Sequence, residues 1–143
     1  MSRLWTPIVS TLAVASAIVA SPVSFADPSD FQYVSTVSGA VRCVISADHV
    51  SCERSSAEGF PDAPPADSGT GNMNIARVDA DGSFEWGLAN IGSGPDGGPL
   101  MLQYDLPYQI KGWTVAPSSD GTRYTNDATG RGMFVSIDGV DPF

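Results

Sequence analysis

Residues 40–54 read AVRCVISADHVSCER, two short runs rich in Val, Ile and Cys on either side of Ala47-Asp48. Such runs bounded by turn residues are typical of β-strands, so the stretch predicts a tight hairpin of residues 40–46 and 49–54. Counting outward from the turn places Cys43 opposite Cys52 in a non-hydrogen-bonded pair, where Cα atoms lie about 4.5 Å apart. A disulfide requires about 4.4–6.8 Å. The spacing therefore predicts a disulfide across the hairpin.

Cys43 and Cys52 are the only two cysteines of the 143-residue chain. A redox-active pair usually has two residues between its cysteines at a helix N-terminus, which this spacing excludes. A metal site would need more ligands than His49, which lies in the turn away from both thiols. The pattern favours a structural disulfide, worth about 2–3 kcal/mol for so short a loop by the chain-entropy estimate.

The rest of the chain continues the same texture of short β-prone runs separated by Gly, Pro, Asp and Ser. No sustained helical periodicity appears after the first 26 residues, so the sequence predicts an all-β domain, a small antiparallel β-sandwich or barrel. Turns are predicted at residues 79–82 and 118–121. Further strands are predicted at residues 31–37, 74–78, 83–88, 100–104, 108–116, 123–126 and 132–137.

Two segments are rich in Gly and Pro, residues 55–72 and residues 92–99. The first is long enough to predict a surface loop of its own, because structureless connections of this length are uncommon in compact domains and are often functional. Mobility of this loop is left open by the sequence.

The first 26 residues have the pattern of a signal-peptide helix. Arg3 supplies a positive start, residues 4–20 are uncharged, and Ser24-Phe25-Ala26 is a small-x-small triplet of the kind that signal peptidase cleaves. Cleavage between Ala26 and Asp27 would leave a single exported domain, residues 27–143. A retained anchor or a buried first helix is the alternative. No later run is apolar enough to span a membrane, so the sequence predicts a secreted or cell-envelope protein.

The predicted mature chain is strongly acidic. Seven basic residues stand against 16 acidic ones, and loss of Arg3 with the leader changes the net charge from −9 to −10. Nucleic acid or an anionic membrane surface would repel such a chain, so we expect neither as a partner. Solubility after export explains the acidity without an acidic binding surface.

No catalytic or metal-binding signature stands out. His49 is the only histidine, and no serine occupies a Gly-x-Ser-x-Gly elbow. Asp79, Asp81 and Glu85 resemble a calcium loop only loosely, and a plain turn explains them. The sequence therefore indicates no metal, no cofactor and no defined enzyme activity.

Two tryptophans are candidates for ligand binding. Trp86 and Trp113 each fit core packing or an exposed platform that binds a sugar or peptide. Glu85 precedes Trp86, so the two side chains should point to opposite faces of a strand.

Five short segments resemble a family of small exported actinobacterial proteins of unknown function. Residues 38–43 and 50–53 are similar to its opening Ser-Gly-Asn-x-x-Cys…Cys motif. Residues 121–126 and 129–136 are similar to its closing Gly-x-x-Cys-Thr-Asn…Thr-Gly-His-Gly-Phe…Ser motif, and residues 102–105 to its Leu-x-Tyr-Gly segment. The resemblance implies an exported fold and no activity.

The chain departs from this family pattern at informative positions. Where the family tends to carry a second cysteine pair, this chain has Val115 and Tyr124. These lie equally far from the turn at residues 118–121, so we expect them to face each other across a hairpin. The family histidine is replaced by Arg131, which we keep as a possible ligand-binding residue.

The sequence thus supports three hypotheses of function. The first is an exported non-catalytic β domain that binds a protein, a glycan or a cell-envelope component. The second is a secreted hydrolase, or a protease-inhibitor-like protein, that uses the loop of residues 55–72. The third is a structural envelope component without a small ligand.

Overall fold

The structure, a computed structural model, describes residues 23–24, 30–67 and 69–143. Residues 1–22 of the predicted leader and the predicted cleavage site at Ala26 and Asp27 lie outside the described residues, whereas Val23 and Ser24, also within the predicted leader, form a short strand. Every regular element in the described part is a strand: β1 (Val23–Ser24), β2 (Gln32–Ser35), β3 (Val41–Ile45), β4 (His49–Arg54), β5 (Ile75–Asp79), β6 (Phe84–Gly87), β7 (Leu100–Met101), β8 (Tyr108–Ile110), β9 (Trp113–Ser118), β10 (Gly121–Asn126), β11 (Gly132–Val135) and β12 (Val140–Pro142).

The strands form two six-stranded sheets. The disulfide sheet has the order β6-β5-β4-β3-β2-β7, and the opposing sheet has the order β1-β8-β9-β10-β11-β12. Only the outermost pairs, β2 with β7 and β1 with β8, are parallel. Buried side chains from both sheets join in one hydrophobic core, so the prediction of an all-β fold is confirmed and its form is a sandwich.

The predicted disulfide hairpin is also confirmed. Cys43 pairs with Cys52 in the register of β3 and β4, with Cα atoms 4.0 Å apart and a bond between the sulfurs. The hairpin backbone hydrogen bond from Ser46 to His49 identifies the turn at residues 47–48. Because the register follows from the turn alone, the sequence was sufficient to predict it.

The disulfide also connects the two sheets through a hydrogen bond. The Tyr124 hydroxyl of β10 lies 3.0 Å from the Cys43 sulfur. A disulfide sulfur carries no hydrogen, so the hydroxyl is the donor. Burial raises the pKa of Tyr124 well above its usual value, and Val115 lies opposite it on β9, as expected. The Trp113 indole makes a second link, donating to the Ser46 carbonyl oxygen over 2.9 Å.

The predicted strand of residues 108–116 is wrong, because the chain reverses within it. Lys111 and Gly112 both have positive φ, 50° and 83°, and separate β8 from β9. Consecutive positive φ angles are characteristic of a type I′ hairpin turn. Strand β12 was not predicted either, and it adds an edge to the opposing sheet.

The loop of residues 55–72 packs into the sandwich in its described part. The Phe60 side chain is completely buried in the core. The Arg54 guanidinium donates to the Gly59 carbonyl oxygen over 2.6 Å, and the Asp62 carboxylate accepts from the Val140 amide over 2.9 Å. The loop therefore contacts both sheets instead of projecting from them.

Candidate functional site

The order of the disulfide sheet requires a long connection across it. Strands β6 and β7 are consecutive in the chain but lie at opposite edges of the sheet. Six strands at about 4.8 Å per neighbour separate these edges by about 24 Å. Residues 88–99 have ample length for this crossing, since 12 extended residues span up to about 40 Å. The core fills the inner face, and the connection follows the outer face.

Hydrogen bonds and packing contacts trace the path of this connection, residues 88–99. The Asn74 side chain, just before β5, exchanges two hydrogen bonds with the backbone of Ala89. Ile91 and Gly92 then form hydrogen bonds with side chains of β4 and β3. Gly94 lies against the Tyr33 ring on β2. The segment therefore crosses β5, β4, β3 and β2 in turn.

Glu53 holds the middle of this connection. The residue is only 7% exposed although it points to the outer face of β4. One carboxylate oxygen accepts from Arg42 over 3.0 Å and from the Ile91 amide over 3.2 Å. Arg42 also donates to the Gly92 carbonyl oxygen. A buried carboxylate is stable only when paired and hydrogen-bonded in this way, so the crossing chain supplies part of what Glu53 requires.

Between this connection and the sheet lies the outer-face cavity, with a volume of about 360 Å³. Its floor is one cross-strand row in continuous register: Tyr33 (β2), Val44 (β3), Ser51 (β4), Arg77 (β5) and Glu85 (β6). The volume is within the range of about 300–1,000 Å³ that is typical of small-ligand sites.

Apolar side chains form the walls of the outer-face cavity. Phe31 stands beside Tyr33 and is 46% exposed, while Ile75 and Ile91 border the cavity from β5 and from the connection. Phe31, Tyr33 and Ile91 also border a neighbouring cavity of about 440 Å³ under residues 92–95. The two cavities therefore form adjoining compartments with a shared apolar boundary.

The polar groups of the floor retain hydrogen-bonding capacity. Arg77 uses Nε to contact Asp79 at 2.8 Å and Glu85 at 3.7 Å. Neither terminal nitrogen of Arg77 has a hydrogen-bond partner among the described residues. The same holds, within that part of the chain, for the hydroxyls of Ser51 and Tyr33. These groups can therefore bond a ligand without breaking existing hydrogen bonds.

His49 lies on the same outer face, beyond the end of the cavity. Its ring centre is 6.3 Å from that of Phe31. Burial lowers its pKa below 6.5, and the nearby charge of Arg77 acts in the same direction, while Asp79 and Asp48 oppose them. The protonated form of His49 is therefore disfavoured in the folded protein.

Ser46 and His49 form a Ser–His contact that needs a chemical interpretation. Ser46 Oγ lies 3.1 Å from His49 Nδ1. The same oxygen accepts from the amides of Asp48 and His49, and Ser46 is only 7% exposed. A nucleophile must reach its substrate, whereas this hydroxyl is occupied in closing the hairpin turn. The contact is explained by the turn.

The structure separates the three ligand-binding candidates of the sequence. Trp113 is fully buried and belongs to the core. The half-buried Trp86 packs its ring against Phe60 and Phe84, and the residue also borders the outer-face cavity. Arg131 lies elsewhere, over Gly82 in the turn between β5 and β6.

The acidic string noted in the sequence is divided by the fold. Asp79 and Glu85 flank Arg77, whereas Asp81 accepts from the Ser83 amide within the turn. That backbone hydrogen bond is the main cause of the lowered pKa of Asp81. Among the described residues, no three His, Cys, Asp or Glu side chains gather as a metal site would require.

The floor of the outer-face cavity carries no motif in the sequence. Ser51, Arg77 and Glu85 come from three strands and share no motif. Their common feature is register, but residues 55–74 separate β4 from β5, so no short hairpin links Ser51 to Arg77. The hairpin predicted at residues 47–48 places Val44 opposite Ser51, whereas no sequence signal aligns β5 with β4 or places the segment that crosses them.

Comparisons with known proteins give no family assignment. The chain matches no protein-family profile, and neither curated proteins nor solved structures show significant similarity to it. Within the part of the chain that the structure describes, no helix has the length and hydropathy needed to cross a membrane.

Proposed function

We propose that this protein is an exported, non-catalytic binding domain whose ligand occupies the outer-face cavity. The observation that carries the proposal is the cavity itself. The outer face of a two-layer sandwich ordinarily faces water, yet here a crossing segment and a row of side chains border a cleft of about 360 Å³. Mostly apolar walls with a few convergent polar groups are the usual composition of a ligand site.

Export is supported by the chain start and by the disulfide. Residues 1–26 have the charge and hydropathy pattern of a cleavable leader, and disulfides persist mainly in oxidising compartments. Secreted protein should begin at Asp27, and its intact mass should be lower than that of the reduced form by the hydrogens of two thiols. A precursor retained inside cells with both thiols reduced would contradict export.

The proposal that the domain is non-catalytic is supported by the poor accessibility of the serine nearest to His49. The hydroxyl of Ser46, the serine in contact with His49, is nearly inaccessible and closes a turn. The loop of residues 55–72, which the alternative hypothesis uses for recognition, contributes Phe60 to the core. Turnover of ester, peptide or glycoside substrates that is lost in His49→Ala would contradict this part.

Binding is tested with residues 27–143, labelled with ¹⁵N, against a library of small fragments. We expect the amide shifts caused by bound fragments to centre on Ser51, Arg77 and Ile91. Val44→Trp should fill the cavity and abolish these shifts. Val37→Trp is the matched control, because Val37 is 49% exposed and lies outside the cavity. Shifts that survive in Val44→Trp, or a library without a hit in the cavity, would contradict the proposal.

A further inference from the structure

Ser51 is the central polar residue in the floor of the outer-face cavity. The residue is 8% exposed and lies at the centre of the floor. Its hydroxyl has no hydrogen-bond partner among the described residues. The hydroxyl is accessible from the cavity, because the one fully buried side-chain N or O atom without a partner among the described residues is Arg54 Nε. A hydrogen-bonding group of a ligand above β4 can therefore reach it.

The charges around Ser51 favour a neutral ligand. Arg77, the only cation among the described residues that line the cavity, lies beside Asp79 and Glu85, so the local formal charge is negative. A free anion would meet these two carboxylates and an acidic chain of net charge −9. A cation would be attracted by this negative charge but would have to lie beside the Arg77 guanidinium. A neutral ligand meets neither the carboxylate repulsion of an anion nor the guanidinium repulsion of a cation.

The polar groups that line the cavity are suited to hydrogen bonds with ligand hydroxyls. Arg77 offers two terminal nitrogens as donors, while the Glu85 side chain, 70% exposed, offers acceptor oxygens. Ser51 and Tyr33 offer hydroxyls, which both donate and accept. A ligand with several hydroxyls can bond all four residues, because each hydroxyl also donates and accepts.

The apolar walls of the cavity are suited to packing against ligand rings that have an apolar face. Phe31 and Tyr33 present aromatic rings, and Val44 and Ile91 are aliphatic. Sugar rings expose a face of C–H groups that packs on such surfaces while their hydroxyls project sideways. Two adjoining cavities share Phe31, Tyr33 and Ile91, which provides space for more than one ring.

A peptide fits this site less well. Extended peptides gain affinity from backbone hydrogen bonds to an open sheet edge. The floor here is the face of internal strands, whose backbone groups are already paired across β5, β4 and β3.

We propose that the outer-face cavity binds a neutral saccharide of two or more rings, with hydroxyls bonded to Ser51, Arg77 and Glu85. This inference rests on the proposed function and names its ligand class. In this proposal the Ser51 hydroxyl forms a hydrogen bond with one sugar ring, and the Phe31 ring packs against the apolar face of a sugar ring.

The test uses titration calorimetry and ¹⁵N amide shifts with neutral trisaccharides: cellotriose, maltotriose and triacetylchitotriose. Trigalacturonic acid and chitotriose with free amines are the anionic and cationic controls. We expect at least one neutral trisaccharide to shift the Ser51 and Arg77 amides and to bind at least about tenfold more tightly than either charged control.

The Ser51→Ala variant removes a single hydroxyl and should weaken binding about three- to tenfold, the effect of one hydrogen bond. The matched control is Ser119→Ala in the hydroxyl-rich cavity at the end of the sandwich, which also contains Ser118 and Thr36. That variant should bind as the unmodified protein does. Unchanged amide shifts far from residue 51 would show that Ser51→Ala is folded.

Each other outcome overturns the inference. Saccharide shifts centred on Ser119, tighter binding of a charged control, or full affinity in Ser51→Ala would reject the assigned site or ligand class. If fragments occupy the outer-face cavity and no saccharide does, the proposed function stands and the saccharide inference fails. If neither binds there, both fail.

Discussion

Two Gly- and Pro-rich segments of this chain, residues 55–72 and 92–99, have similar compositions and different roles. The loop of residues 55–72 sends Phe60 into the core, where it is completely buried. Residues 88–99 send no side chain into the core and lie on the outer face of the disulfide sheet, where Ile91 borders the cavity. One segment completes the core, and the other borders the candidate site.

The difference shows that composition does not assign a role to such a segment. A single large apolar side chain, Phe60, turns the first segment into part of the core. The second is placed by the need to join β6 to β7 at opposite edges of the sheet. A segment whose path is set by strand order, such as residues 88–99, can leave a cavity next to the sheet. A segment that is anchored by a buried apolar side chain, such as Phe60, fills the space instead.

The largest effect expected from this comparison is on stability. Phe60→Ala should lower the free energy of unfolding by about 3–5 kcal/mol, because it leaves a cavity in a packed core. Ile91→Ala should cost only about 1 kcal/mol, since Ile91 is half-buried. Urea unfolding of both variants measures the difference. Equal losses would mean that the two segments contribute alike.

Two glycines in the connection of residues 88–99 provide a second test of this comparison. Gly94 and Gly97 have positive φ, 77° and 100°. A methyl group at Gly94 would lie 2.8 Å from Tyr33 Cγ, whereas at Gly97 it would meet no atom within 4 Å. Both alanine variants incur similar backbone strain, about 1–2 kcal/mol. Only Gly94→Ala should lift the segment from the sheet.

Hydrogen exchange of the Ile91 amide reports this lifting, because that amide is bonded to Glu53. We expect Gly94→Ala to accelerate its exchange about tenfold more than Gly97→Ala does. Similar exchange in the two variants would show that contact with Tyr33 does not hold the segment.

The parts of the fold that sequence could predict are those fixed by local pairing. The Cys43–Cys52 and Val115–Tyr124 pairs both follow from counting outward from a turn. The turn at Lys111 was missed because Lys-Gly signals a type I′ turn less strongly than Asn-Gly or Asp-Gly.

The candidate site could not be predicted because it depends on distant pairing. Strand β7 reaches its edge by pairing with β2, more than 60 residues earlier in the chain. That pairing sends residues 88–99 across the sheet, where Ile91 borders the cavity that contains Ser51. The burial of Trp86 and Trp113 could not be predicted either. It depends on how the two sheets pack against each other, and this packing joins residues that are far apart in the sequence.

The smallest expected effect is a dependence on pH at the outer face. The pKa of His49 is lowered in the folded protein, chiefly by burial and then by Arg77. On acidification from pH 7.5 to 5.5 the unfolded chain therefore takes up the proton first, and the free energy of unfolding falls. This loss should level off below the folded-state pKa.

Urea unfolding at the two pH values measures the loss, and His49→Asn should reduce it because the titrating group is removed. Carboxylates with ordinary pKa values near 4 stay ionised in this window. The loop of residues 55–72 contains no histidine, so the dependence belongs to the side of the molecule that carries the cavity. An equal loss in His49→Asn would remove this distinction between the two regions.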